Sequence, residues 1–292
     1  MEEEWCKMFI NTYRNANDFV LSTRPTLEKN EVANSLILGI ALRLVNDPEI
    51  IRAAPYLATI EDEHGLLAAA CMTPPYNIVL YSNNTNDDEP FALLIQNLLD
   101  NNWFVPGAVG PGQVAENFAK NWALRTGQGY KEGMRQRIFE LSKVIPPRHV
   151  AGALRVATEN DLELITRWTL AFNREALHKD DSVDAQQEAE RRIRNQSIYL
   201  WKLPDGQAVT MAAKTRPVSK VISISLVYTP PEYRAMGYAS NCVAALSQRL
   251  LDEGWQFCSL VTDLANPVSN SIYQKIGYHP ACDLNEYIFV IT

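Results

Sequence analysis

The run from Val221 to Gly254 restricts the fold more than any other stretch of the chain. Val221-Ile222-Ser223-Ile224-Ser225-Leu226-Val227-Tyr228 is rich in β-branched residues and reads as a strand. The period then changes. From Gly237 to Asp252 the apolar residues Tyr238, Val243, Ala244, Leu246, Leu250 and Leu251 recur at helical spacing, and Gly254 follows as a stop. A strand that feeds a helix through a glycine-bearing turn belongs in a layered arrangement of sheet and helices. It also leaves the unpaired N–H groups of the helix start beside the end of the strand.

The pattern extends in both directions. Leu154–Ala157 reads as a short strand, and Thr158 caps a helix over 160–176 with Asp161 in its first turn. A second helix fits 184–195. Strands follow at 197–201 and 208–214, with a turn at Pro204-Asp205-Gly206 between them. After the central strand and helix come a strand at 257–262, a helix over 267–276 closed by Gly277, and a terminal strand at 286–291. The order is β-α-α-β-β-β-α-β-α-β.

Upstream, Pro146-Pro147 interrupts both helix and central strand. This sets an expected boundary between a domain at 1–148 and another at 149–292. The first half repeats the order loosely. It has helices at 15–22 and 28–45, then strands at 56–60, 66–72 and 78–81. A helix at 90–100, an extended piece at 103–105, a helix at 114–126 and a strand at 130–141 complete it. Its helix stops at Gly127 before Tyr130, much as Gly277 precedes Tyr278, so the chain reads as two copies of one fold.

Composition excludes several function classes. With 292 residues, 47% of them hydrophobic, there is apolar material for two cores. No apolar run reaches the roughly 18–20 residues of a membrane span. The acidic start Met1-Glu2-Glu3-Glu4-Trp5 is unlike a secretory signal, so the expectation is a cytoplasmic protein with no membrane partner. The net charge is -7, and neither half carries a basic excess: 1–148 has 13 basic and 18 acidic residues, and 149–292 has 14 and 16. Nucleic acid is not an expected partner. The five cysteines (Cys6, Cys71, Cys242, Cys258, Cys282) and four histidines show neither disulfide nor metal spacing, so no metal is expected.

Chemistry concentrates in the turn after the central strand, Thr229-Pro230-Pro231-Glu232-Tyr233-Arg234-Ala235-Met236-Gly237-Tyr238-Ala239-Ser240. A helix start favours an anion. Gly237 lets the backbone approach a bulky phosphate, Ala239 keeps the next turn low, and Arg234 adds a cation. The alternative is an ordinary turn in which glycine supplies unusual dihedrals. The pattern is neither a P-loop nor a dinucleotide fingerprint. Downstream lies Asn266-Pro267-Val268-Ser269-Asn270-Ser271-Ile272-Tyr273-Gln274-Lys275-Ile276-Gly277-Tyr278.

Together, Arg-x-x-Gly-x-Ala after a strand and Asn-Pro-x-Ser-Asn-x-x-Tyr-x-x-x-Gly-Tyr at this separation resemble the GNAT superfamily of acyl-CoA-dependent N-acyltransferases. The close match covers residues 221–280, and the duplicated layout is similar to the superfamily's tandem members. The resemblance implies an α/β (α+β) chain of two tandem GNAT-like folds. Each would be a mixed, mostly antiparallel twisted sheet flanked by helices, and the central strand of the C-terminal copy would be splayed. It implies acetyl-CoA (coenzyme A) as cosubstrate and a small-molecule or peptide amine as acceptor, in a monomer or homodimer. It also implies residue roles. Backbone groups of Val227 and Thr229, with Tyr228 between them, would meet the pantetheine amides. Arg234, Ala235, Met236, Gly237, Tyr238, Ala239 and Ser240 would cradle the diphosphate. Asn266 and Asn270 would flank the pantetheine arm, and Tyr273 would protonate the leaving thiolate. Asn266 also suits a helix cap, and Tyr273 a buried helix face beside Ile276.

Two departures stand out. The family often carries a carboxylate on the central strand as base. Here that strand has only Ser223 and Ser225, read as sharing a face with Val221 and Val227. Glu175, His178, Asp180 and Asp181 could recruit or deprotonate an amine, but each reads first as a solvated surface residue, and no base is assigned. The first copy has no glycine between Leu66 and Pro106 and has Ala123 where Tyr273 stands, so it reads as catalytically silent, with Met72–Asn77 as a candidate wall of a cleft. These departures leave open an alternative: a non-catalytic acyl-CoA-binding or protein-interaction module.

Overall fold

The computed structural model describes residues 7–48, 51, 53–84, 88–177 and 182–290. Its elements run β1 (Phe9–Thr12), α1 (Ala16–Leu27), α2 (Ser35–Asn46), β2 (Tyr56–Asp62), β3 (Gly65–Met72), β4 (Ile78–Ser82), α3 (Glu89–Asp100), β5 (Gly107–Pro111), α4 (Gly112–Thr126) and β6 (Gly129–Leu141). The order then repeats as β7 (Ala153–Val156), α5 (Leu162–Leu177), α6 (Ser182–Arg194), β8 (Ile198–Lys202), β9 (Ala208–Thr215), β10 (Val221–Tyr228), α7 (Tyr238–Asp252), β11 (Phe257–Asp263), α8 (Pro267–Lys275) and β12 (His279–Val290). The two halves match element for element. Strand β1 carries no sequence signal, being short and edge-placed. The extended piece expected at 103–105 is loop, and its strand forms at Gly107–Pro111.

The chain folds into two compact units, and their limits differ from the proline-based boundary. The first holds residues 1–138, 263–265 and 280–292, and the second holds 139–262 and 266–279. Prolines end elements, but strand pairing decides which unit a segment joins. In the first unit the strand order is β1-β2-β3-β4-β5-β12-β6. Strand β12, the last element of the second copy, pairs antiparallel with β5 from Leu284↔Pro111 to Ile288↔Gly107. Its Glu286 accepts from Asn77 Nδ2 at 2.7 Å and from the Met134 N–H at 2.9 Å. Asn77 therefore serves to hold this strand. Phe91, Leu94, Leu98, Phe118 and Trp122 of α3 and α4 cover one face of the sheet.

In the second unit the order is β11-β10-β9-β8-β7, with a core on each face. On one face, Ile222, Ile224 and Leu260 pack with Val243, Leu246, Leu250, Tyr273 and Ile276 of α7 and α8. On the other, Leu200, Met211, Ala213, Leu226 and Tyr228 pack with Ile165, Trp168, Ala189 and Ile193 of α5 and α6. The expected cap forms: Thr158 and Asp161 make a reciprocal capping box ahead of α5. Gly277 ends α8 at φ +107, where a Cβ would lie 2.7 Å from the Lys143 carbonyl.

The clamp on β12 makes one test. A Cβ on Gly133 would lie 2.5 Å from Glu286 Oε2. Gly133→Ala should therefore displace that carboxylate from Met134 and cost about 1–3 kcal/mol of stability, read as a lower thermal midpoint.

Candidate functional site

The site is built where β10 leaves its neighbours. Its parallel pairing with β11 runs from Val221↔Phe257 to Ile224↔Leu260 and no further among the described residues. Its antiparallel pairing with β9 proceeds through Ser225↔Ala213, then jumps to Tyr228↔Met211 across a bulge. Within that bulge Leu226 takes φ +52, rare for a branched side chain. Leu226 and Val227 belong to neither register, so the regular ladder is interrupted at these two residues.

The bulge also resets which way the side chains face. Before it, Ile222 and Ile224 lie on the α7/α8 face. After it, Leu226 and Tyr228 lie on the α5/α6 face, and Val227 packs on the α7/α8 side. The sequence expectation that Val227 shares a face with Ser223 and Ser225 is thus corrected. Simple alternation fails once one extra residue is inserted. Ser223 Oγ pairs with Ser259 Oγ at 2.8 Å, so it serves the strand pair. Ser225 Oγ is buried with no hydrogen-bond partner among the described residues.

Beyond β10, Pro231–Tyr233 form one 3₁₀ turn. Ala235 (φ +61) and Gly237 (φ +82) then take left-handed conformations that curl the chain into the start of α7. The first N–H that bonds back is that of Asn241, to the Gly237 carbonyl at 3.1 Å. The N–H groups of residues 235–240 donate to no partner among the described residues, and no side chain caps the helix. Across this nest of donors, residues 234–237 are exposed and 238–240 half-buried. Such a concavity at the N-terminus of a 15-residue helix fits a doubly charged anion.

The segment read only as a boundary braces the turn. Asn241 Nδ2 donates to the Arg148 carbonyl at 3.0 Å. A Cβ on Gly237 would lie 3.3 Å from Val150 Cγ1. Nothing in the sequence of 148–150 signals this contact, because it is made through a carbonyl and a methyl group.

Tyr273 is 9% exposed and packs edge-on to Tyr278, with ring centroids 6.0 Å apart. It shares its cluster with Ile224, Val227 and Tyr238, on the same sheet face as the nest. Burial pushes its phenol up to about 12. Asn266 caps α8, its Oδ1 accepting from the Ser269 N–H at 3.0 Å. The carbonyl of Tyr228 accepts from Thr210 Oγ1 at 2.8 Å.

The sequence reads Arg234 as a cation of the diphosphate cradle; in the structure its guanidinium is engaged within the protein. Nε donates to the Thr229 carbonyl at 2.9 Å and Nη2 to Glu175 Oε2 at 2.7 Å. Its Cζ sits 5.9 Å from the Tyr228 ring centroid. The Thr229 carbonyl is correspondingly already taken. His178, Asp180 and Asp181 lie outside the described residues, as does Cys6. No cluster of metal-ligating side chains occurs among the described residues, and none of their helices is long and apolar enough to cross a membrane.

Comparison with known proteins agrees with this geometry. Residues 205–288, which span β9 to β12, match the family model described as FR47-like protein, of GNAT type. No curated protein matches the chain. Among solved structures, an acetyltransferase of the GNAT family from Colwellia psychrerythraea superposes with a TM-score of 0.62 at 12% identity, over 97% of this chain and 100% of that one. A GCN5-related N-acetyltransferase from Sphaerobacter thermophilus gives 0.65 at 12% identity, over 96% and 94%. A tandem GNAT protein from the clavulanic acid biosynthesis pathway gives 0.57 at 11% identity, over 97% and 98%. At such identities the likeness establishes the fold, which is the GNAT fold in tandem.

The cap at Asn266 is testable without any ligand. Asn266→Ala should lower the unfolding free energy by about 1 kcal/mol, measured by denaturant titration.

Proposed function

We propose that the second copy is an N-acetyltransferase moving the acetyl group of acetyl-CoA to a primary amine of a small molecule or peptide. The observation that carries this reading is the open nest of N–H groups at 235–240 on the same sheet face as the buried Tyr273 phenol. In it, the main chain of Ala235, Met236, Gly237, Tyr238, Ala239 and Ser240 holds the diphosphate. Val227, Tyr228 and Thr229 run beside the pantetheine arm, with Asn266 and Asn270 at its other flank.

The bound thioester supplies an activated acetyl carbonyl. The amine nitrogen attacks that carbonyl carbon, the C–S bond breaks, and the surplus amine proton leaves to solvent. In this reading the main chain of Leu226 and Val227, where the register of the central strand is broken, offers an N–H to the charge developing on the carbonyl oxygen. Tyr273 gives its proton to the departing sulfur and regains one from solvent. A phenol raised to about 12 stays protonated at neutral pH, as an acid must. No carboxylate lies on β10, and Glu175 is committed to Arg234. The deprotonated fraction of the acceptor is therefore the nucleophile.

A non-catalytic acyl-CoA-binding module is the competing reading, favoured by that missing carboxylate. The two separate in one experiment: calorimetric titration with acetyl-CoA, then turnover across an amine panel. Binding is expected in the wild type and lost in Gly237→Glu, which puts a carboxylate into the nest. Turnover is expected to fall at least about tenfold in Tyr273→Phe. Binding without turnover on any amine would favour the module.

The pH profile is a further check. Because the phenol loses its proton only near pH 12, the wild-type rate should rise with pH until the acceptor amine is deprotonated. No downturn from Tyr273 should appear at pH 10, where an ordinary phenol would be half ionised.

A further inference from the structure

Resting on the acyl-CoA reading above, we infer that Arg234 is a positioning residue for the pantetheine-binding edge rather than a ligand of the diphosphate, and that Glu175 is its working partner. The guanidinium is held on three sides. Nε donates to the Thr229 carbonyl, Nη2 donates to the Glu175 carboxylate, and the plane lies near the Tyr228 ring. Glu175 Oε1 also accepts from the Tyr228 hydroxyl at 3.4 Å. Thr229 is fixed a second time, since its Oγ1 lies 2.8 Å from Thr210 Oγ1.

One cation thus ties the C-terminal end of α5 to Tyr228, the last residue of β10, and to Thr229, the first beyond it. Those residues follow the bulge directly, where neither ladder holds Leu226 and Val227. The planar fork of the guanidinium suits such a tie, since one edge reaches a carbonyl while the other reaches a carboxylate. A lysine has the charge but not the fork. The nest, meanwhile, has six main-chain donors of its own from 235 to 240, so anion binding there does not require the side chain.

The test compares two donors on the full chain: acetyl-CoA by calorimetry, and acetylpantetheine, which lacks the diphosphate, by NMR titration. Arg234→Gln should weaken both by the same factor, about two- to fivefold, the scale of an exposed but well-aligned ion pair. Arg234→Lys should not restore either affinity. Glu175→Gln should weaken both in the same direction, and the double variant should be no worse than Arg234→Gln alone. Three results would overturn the inference: a loss confined to acetyl-CoA, rescue by lysine, or a Glu175→Gln protein that binds both donors like the wild type. A wild type that binds no acetyl-CoA would instead overturn the acyltransferase reading.

Discussion

Strand β10 runs between two neighbours and keeps both only as far as its middle. Parallel pairing with β11 ends at Ile224, and the antiparallel ladder with β9 skips from Ser225 to Tyr228. A central strand normally spends every peptide group on its neighbours. Here Leu226 adopts φ +52, and the register breaks before the strand reaches the turn into α7. That strain is tolerated because Leu226 and Tyr228 are each buried against α5 and α6. Without the bulge, Val227 would face the other core.

The polar groups around this opening are arranged so that few side chains reach into it. Ser223 is paired with Ser259, Thr210 with Tyr228 and Thr229, and Arg234 with Glu175 and Thr229. What stays open is backbone: the nest at 235–240, beside the bulged end of β10. A site made of main-chain donors binds through geometry more than through side-chain charge. That agrees with a chain whose net charge is -7 and which nevertheless offers an anion-binding turn.

The first copy shows the contrast. It keeps the element order, and α4 ends at Gly127 in the left-handed conformation as α8 ends at Gly277. Yet it has Ala123 in place of the tyrosine and no glycine between Leu66 and Pro106. Its own close approaches lie elsewhere. Glycines 107 and 133 leave room for β12 and its Glu286, which the chain inserts between β5 and β6. Gly107 and Gly133 of this copy serve strand insertion, whereas Gly237 of the other serves an exposed turn.

The element order of the second copy, the turn at 234–240 and the place of Tyr273 on its helix were legible in the sequence, because glycine punctuation and apolar periodicity are local properties of the chain. The sequence did not reveal β1, which is too short to show a pattern, or that β12 joins the first unit, since pairing is a choice among distant partners. The bulge was invisible because Leu226-Val227-Tyr228 is an unbroken apolar run that suits a strand buried on both faces, and its extra residue shows only against the register of β9. The engagement of Arg234 by Glu175 was equally hidden: 59 positions separate them, and only the packing of α5 on β10 brings the carboxylate within reach. Tertiary structure alone decided which charged and polar groups were already satisfied, and hence which were left to bind a ligand.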